Sequence, residues 1–220
     1  LQLMLAIDPD KFEVVPVYIA PNGSWYTGSE LLNRAFYRSV PSALRDLQEV
    51  TLLPKPGVNG LLKIGSSGGL ARDLFSASSD IIAIDVFLPV FHGQYGEDGC
   101  IQGVFEMANV PYTGSDFTSS AITMNKYLCK RYLDVHGIPV LPALVVRRDE
   151  ARSDLAAITQ WVVSQEGFSQ FPLFVKPCNL GSSIGVSRVK DISELPGALA
   201  KVFRYDTIAL VEPCVSDIME

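Results

Sequence analysis

Residues able to do chemistry crowd into one run near the middle of the chain, His92-Gly93-Gln94-Tyr95-Gly96-Glu97-Asp98-Gly99-Cys100-Ile101-Gln102-Gly103. Gly93, Gly96 and Gly99 let the backbone turn tightly and come close to a ligand. Between them, His92, Glu97 and Asp98 can carry protons or orient donors. The run follows an apolar stretch from Ile81 to Phe91 and precedes a helical pattern, so it reads as a strand-to-helix loop. In α/β proteins substrates bind there, at the carboxyl ends of strands. Asp98 is also a natural helix cap, and the competing reading of the run by itself is a glycine-rich connector. A second group is Phe174-Val175-Lys176-Pro177 followed by Gly181-Ser182-Ser183-Ile184-Gly185. A lysine closing a buried strand must bring its ammonium to something anionic. The loop beyond it offers backbone N–H groups and two hydroxyls, the chemistry of a phosphate cradle. The lysine precedes the glycines, so this is not the GxxxxGK[ST] loop. Each half alone describes an ordinary surface lysine or hairpin; together they point to a nucleotide phosphate site.

The elements that must position these groups can be read from periodicity and punctuation. A helix opens the chain at Leu1 to Ile7, and Asp8-Pro9-Asp10 ends it. Phe12 to Ala20 alternates as a strand and Pro21-Asn22-Gly23 turns the chain. Residues 24–79 are irregular, and Gly65-Ser66-Ser67-Gly68-Gly69 reads as linker. Ile81 to Val90 is near-continuously apolar, as in a buried parallel strand. From Asp98 to Asn109, Ile101, Val104, Phe105 and Ala108 share a helical face. A further helix capped by Ser119 or Ser120 runs to His136, with Lys126 and Lys130 four residues apart, and Gly137 and Pro139 stop it. His136 sits where it would complement the helix C-terminus and is given no catalytic role. Strands are expected at 140–146, 172–176, near Val186 and at 207–212, and helices at 153–166 and 191–203. Asp191 and Glu194 form a capping box at the last of these. Strands and helices mix throughout, so the class is α/β or α+β, with a domain boundary near 114–118.

Composition narrows the field. With 220 residues, 48% hydrophobic and 19% charged, the chain has ample material for a core. Its formal net charge of −6 argues against nucleic acid as the main partner, since phosphate binding needs a basic face. No apolar run reaches the length of a membrane span, and no signal-peptide layout opens the chain. The four cysteines are scattered, without paired ligand spacing, which fits a reducing cytoplasm and leaves no metal ligand to nominate. The chain starts without Met inside a helix tail and stops just past a strand pattern, so it reads as cut at both ends.

Five segments, taken in order, resemble the D-alanine–D-alanine ligases of the ATP-grasp superfamily. They are HGQYGEDGCIQGVFE (92–106), PYTG (111–114), SAITMNKYLCK (120–130), GIPV (137–140) and FPLFVKPCNLGSSIGV (171–186). The likeness covers most of 85–220, and more weakly 8–26. It implies an α/β fold with an N-terminal parallel-sheet domain at 1–118 lacking its first strand. A first ATP-grasp subdomain would follow at 119–206, and the start of a second at 207–220. It also implies that ATP phosphorylates the carboxylate of one D-alanine, and that the amine of a second attacks the acyl phosphate, for peptidoglycan synthesis. Lys126 and Lys176 would grip phosphates. Gly181, Ser182, Ser183 and Gly185 would form a mobile loop over ATP, with Ser182 also catalytic. Glu212 and Glu220 would meet adenine and ribose. His92 would be catalytic, orienting the first D-alanine or the developing anion, with Gly93 and Glu97 shaping that wall.

Departures from the family pattern set further expectations. The segment that binds the first D-alanine is expected before Leu1. The residues that bind Mg2+ and the transferred phosphate are expected beyond Glu220, so that this chain alone would be inactive. Asn125 stands where Asp is common. The resemblance implies a cytoplasmic protein that forms a homodimer. Alternatives are a ligase joining D-alanine to D-lactate or D-serine, and a non-catalytic ATP-binding module.

Overall fold

The computed structural model describes residues 1–38, 40, 44–65 and 81–215. The chain divides into two compact units, Leu1–Leu88 with Val104–Thr113, and Pro89–Gly103 with Gly114–Glu220.

In the first unit, α1 (Gln2–Ala6) precedes β1 (Val17–Ile19) and β2 (Trp25–Thr27), joined through the Pro21-Asn22-Gly23 turn. Asn22 Oδ1 accepts from Ser24 N at 3.1 Å, and Gly23 has φ +88°, the left-handed turn chemistry that punctuation here predicts. β3 (Gln48–Leu52), β4 (Gly60–Lys63) and β5 (Ile81–Ala83) complete a sheet of order β1-β2-β3-β4-β5 in which every neighbour is antiparallel. The region expected to be irregular thus holds β2, β3 and β4. Its strands are three to five residues long, too short for a periodicity signal. Val50, Leu52, Leu61, Leu62 and Leu31 are all buried in this unit.

The expected buried parallel strand at 81–90 is corrected. Ile81–Ala83 pairs antiparallel with β4, and Ile81, Val86, Leu88 and Val90 are exposed. The parallel-sheet expectation for this domain therefore does not describe β1–β5. One parallel bridge, Phe87 to Tyr112, is present. An apolar run alone cannot specify strand direction, because each neighbour's register is set by connections as short as the 53–59 turn. Phe87 stacks on Phe105 of α2 (Cys100–Ala108) with centroids 4.9 Å apart, and Tyr112 lies 5.3 Å from Phe105.

The second unit is built on the sheet β6 (Leu144–Arg147), β9 (Ile208–Pro213), β7 (Leu173–Pro177) and β8 (Ser187–Val189), in the order β6-β9-β7-β8, again all antiparallel. Side chains alternate across it. Leu173, Val175, Ala209 and Val211 face a core shared with Val162 of α6 (Leu155–Ser164) and Leu195, Leu199 and Val202 of α7 (Leu195–Val202). Phe174, Lys176, Leu210 and Glu212 consequently take the other face.

The long helix expected from 119 to 136 is two helices, α3 (Phe117–Met124) and α4 (Lys126–Val135), broken at Asn125, whose φ −85° and ψ 104° are extended. Asp116, not Ser119 or Ser120, caps α3, accepting from Ser119 N at 2.7 Å, while Asn125 caps α4, accepting from Leu128 N at 2.9 Å. Asp and Asn rank with Ser as helix caps, so the residue types alone do not choose among them, and a second cap inside a continuous pattern resets the helix. The helix expected at 153–166 is α6, and a short additional helix, α5 (Arg148–Ser153), precedes it, the two separated by Asp154, which accepts from Ala157 N at 2.9 Å. The capping box at 191–194 is displaced by one residue. Asp191 accepts from Ser193 N at 2.8 Å, and Glu194 reaches back to Lys190 N at 2.8 Å.

Candidate functional site

Alternation along β7 and β9 determines which charged groups meet. Lys176 lies opposite Leu210 in the register, and Glu212 lies opposite Phe174, so the two charges are diagonal neighbours on one face. Lys176 Nζ pairs with Glu212 Oε2. From α4, Lys130 Nζ reaches the other oxygen, Oε1, at 2.6 Å and also donates to Leu141 O at 3.0 Å. The Glu212 side chain is only 5% exposed, against 19% for Lys130 and 25% for Lys176. A carboxylate so deeply placed is tolerable only because both oxygens are ion-paired.

A third cation stands beside this triad. Lys126 is the first residue of α4, and its Nζ donates to Leu180 O while its backbone N donates to Cys178 O at 3.0 Å. Among the described residues no carboxylate forms an ion pair with it. Burial, and then the positive charge of Lys176, lower its pKa from the ordinary lysine value. A cation at a helix N-terminus also opposes the helix dipole. Three cations and a helix N-terminus around one carboxylate leave a surplus of positive potential, which an anion would relieve.

This geometry is held by a directional chain of amides. Asn125 Nδ2 donates to Asn179 Oδ1 at 2.7 Å, and Asn179 Nδ2 donates to both oxygens of Asp206 at 3.1 Å. Asp206 is buried and accepts further from Asn179 N at 2.7 Å, Thr207 N at 2.7 Å and Ile208 N at 3.2 Å. Buried Cys178 completes the contact, its Sγ 3.1 Å from Asn125 Oδ1, and burial pushes its thiol pKa up, so it stays a thiol. The carbonyls of Cys178 and Leu180 that seat Lys126 thus flank Asn179, which Asn125 and Asp206 hold in place.

Beyond Leu180 the loop turns on Ser182 and Ser183, with φ +51° and +57°, and on Gly185 at +75°. Gly181, Ser182, Ser183 and Ile184 are exposed, while Gly185 is buried. A Cβ on Gly185 would lie 2.8 Å from Pro177 Cγ, so glycine is required there for close packing as well as for its backbone angle. Two successive left-handed serines are uncommon and carry backbone strain of about 1–3 kcal/mol each, a feature of ligand-clamping loops.

His92, Gly93 and Glu97 form their own cluster. Glu97 Oε2 accepts from Gly93 N at 2.6 Å, and Oε1 lies 3.9 Å from His92 Nδ1, whose side chain is 90% exposed. Asp98 accepts from Tyr95 N at 2.8 Å and Cys100 N at 3.1 Å. Partial burial pushes its pKa up, but these bonds outweigh that and leave it lowered. Among the described residues no hydrogen bond or ion pair joins this loop to the lysine cluster. Glu220 lies outside the described residues. Among them, no group of three His, Cys, Asp or Glu side chains is placed to hold a metal ion, and no helix is long and apolar enough to cross a membrane.

The structure therefore brings together Lys126, Lys176 and Glu212 and sets the 181–185 loop next in sequence. It adds Lys130, Asn179 and Asp206, which the sequence reading did not nominate. The spacing of Lys126 and Lys130 was a usable signal, since i and i+4 share a helix side. Nothing in the sequence links Asn179 to Asp206.

This architecture and site define a protein of the ATP-grasp class, and solved structures of that class share the fold. The D-Ala:D-Ser ligase VanG of Enterococcus faecalis superposes with a TM-score of 0.78 at 29% identity, over 97% of this chain and 56% of that one. The D-alanine–D-alanine ligase of Coxiella burnetii gives 0.75 at 27%, over 97% and 57%. In sequence, D-alanine–D-alanine ligase A of Bradyrhizobium diazoefficiens is 39% identical over 207 residues, covering 94% of this chain and 52% of the relative. The chain belongs to the D-alanine–D-alanine ligase family, matching its N-terminal domain over residues 1–115 and its C-terminal domain over 132–220. It spans about half the length of the curated relatives it matches.

Proposed function

We propose that this chain supplies the nucleotide-phosphate grip of an ATP-dependent D-alanine–D-alanine ligase. The observation that carries this reading is Lys126, half-buried on a helix N-terminus beside Lys176 with no carboxylate paired to it among the described residues. An ATP polyphosphate would supply the missing negative charge, with Lys126 and Lys176 as donors and Ser182, Ser183, Gly181 and Gly185 folding over it. Glu212, and Glu220 beyond the described residues, would line the adenine and ribose end. His92, with Gly93 and Glu97 behind it, would orient the first D-alanine and steady charge developing on its carboxylate. In the reaction the γ-phosphoryl group passes to that carboxylate. The amine of the second D-alanine then displaces phosphate and loses a proton, leaving the dipeptide for peptidoglycan synthesis. Mg2+ would accompany ATP and neutralise its phosphates. We place the activity in the cytoplasm, in a homodimer, with the domain division at 1–118, 119–206 and 207–220.

Similarity to VanG favours a second reading, in which D-serine is the second substrate. Calorimetric titration of Mg·ATP into this chain and its K176A variant tests the grip. Binding that is lost on substitution supports the site, and equal binding by both overturns it. Supplying D-alanine with D-alanine, D-serine or D-lactate and weighing the product by mass spectrometry separates the substrates. Binding without product would favour a non-catalytic module.

A further inference from the structure

A phosphate grip by Lys126 and Lys176 leaves Lys130 without a task. Lys130 is nonetheless one of the least exposed charged groups of the second unit, and its partners are fixed: Glu212 Oε1 at 2.6 Å and Leu141 O at 3.0 Å. Glu212 sits between two lysines, one on each oxygen, in a place where water screens little. If only Lys176 faced Glu212, the two would form a closed, neutral pair. Lys176 would then present no net charge to an incoming anion. With Lys130 on the far oxygen, the three groups sum to one positive charge, and Glu212 orients Lys176 without cancelling it.

We propose that Lys130 is a positioning residue, which neutralises Glu212 from the helix side and so leaves the charge of Lys176 available to a polyphosphate. The proposal rests on the nucleotide reading for its ligand, but not for its electrostatics. Lys130 touches no phosphate in this scheme; it acts through Glu212. Neither Lys126 nor the 181–185 loop can substitute for it, because Lys126 is committed to Leu180 O and the loop carries no ionisable side chain.

The test is a binding cycle on the whole chain, with Mg·ATP and inorganic tripolyphosphate as separate probes. Proteins compared are the wild type, K130M, K130R, E212Q and K130M/E212Q, each checked for cooperative thermal unfolding. K130M should weaken binding of either probe about tenfold, as expected for one charge acting in a partly desolvated site. K130R should stay within about threefold of wild type, since it keeps the charge. Adding K130M to E212Q should cost less than about twofold, because there is then no carboxylate left to neutralise. A merely structural lysine would cost as much in the E212Q background as alone, and that result overturns the proposal, as does K130M binding like wild type. Tripolyphosphate binding with this pattern but no preference for ATP would keep the role of Lys130 and sink the nucleotide reading. Binding of neither probe by the wild type sinks both.

Discussion

At the scale of single residues the site is a problem in placing charge. Lys126 is held charged against burial, the helix dipole and Lys176, and this gives a pH signature. Its folded pKa is lowered from the unfolded value of about 10.4, so the free protein binds fewer protons than the unfolded chain in the interval between the two. Stability contributed at this position accordingly rises as pH climbs through the lowered value. Anion affinity moves the opposite way, because the neutral amine no longer attracts phosphate. Nucleotide binding should start to fail at a lower pH than an ordinary lysine would allow, and binding there should take up a proton. Calorimetry in two alkaline buffers of different ionisation enthalpy reads that uptake directly; a buffer-independent heat would contradict it. Asp206 makes a separate prediction. Asp206→Ala removes the buried acceptor for the backbone amides of Asn179, Thr207 and Ile208, bonds that are only partly buried, and should cost about 1–3 kcal/mol in urea denaturation.

At the scale of elements the decisive features are breaks. Asn125 ends one helix and starts another, and that break places Lys126 at an N-terminus and turns Lys130 toward β9. The sequence showed one apolar stripe and two serines as caps, so the helix was legible and its interruption was not. An asparagine in mid-pattern is a cap only when the chain beyond it turns, which depends on Asn179 and Cys178 more than fifty residues away. The β7 lysine and the Gly-Ser-Ser loop were legible because their chemistry is local. The N-terminal sheet was not, since short strands carry little periodicity and their direction is set by turns. In the 181–185 loop, Gly185→Ala should destabilise the protein by about 1–3 kcal/mol, through both its backbone angle and the contact with Pro177. Ser183→Gly, by contrast, relieves a left-handed residue and should raise the melting temperature. Thermal scans of the two variants should move in opposite directions.

At the scale of the whole molecule the chain holds two cores, and each unit has one of its two tryptophans: Trp25 on β2 and Trp161 on α6. Leu61 and Leu199 are both fully buried, one in each core. Truncating either to alanine should cost about 2–5 kcal/mol. Followed by fluorescence in W161F and W25F backgrounds, Leu61→Ala should shift chiefly the Trp25 transition and Leu199→Ala the Trp161 transition. Equal shifts of both signals by either variant would show that the cores unfold as one cooperative body.

The amide chain from Asn125 through Asn179 to Asp206 also has a polarity. Leu128 N–H fixes which end of the Asn125 amide accepts, and the carboxylate of Asp206 fixes which end of Asn179 donates. The three positions therefore carry one message rather than three. A library that randomises them independently should return survivors in matched sets, because Asp at 125 would set two acceptors face to face unless residue 179 changed with it. For anyone redesigning the pocket, the unit of exchange is the whole triplet.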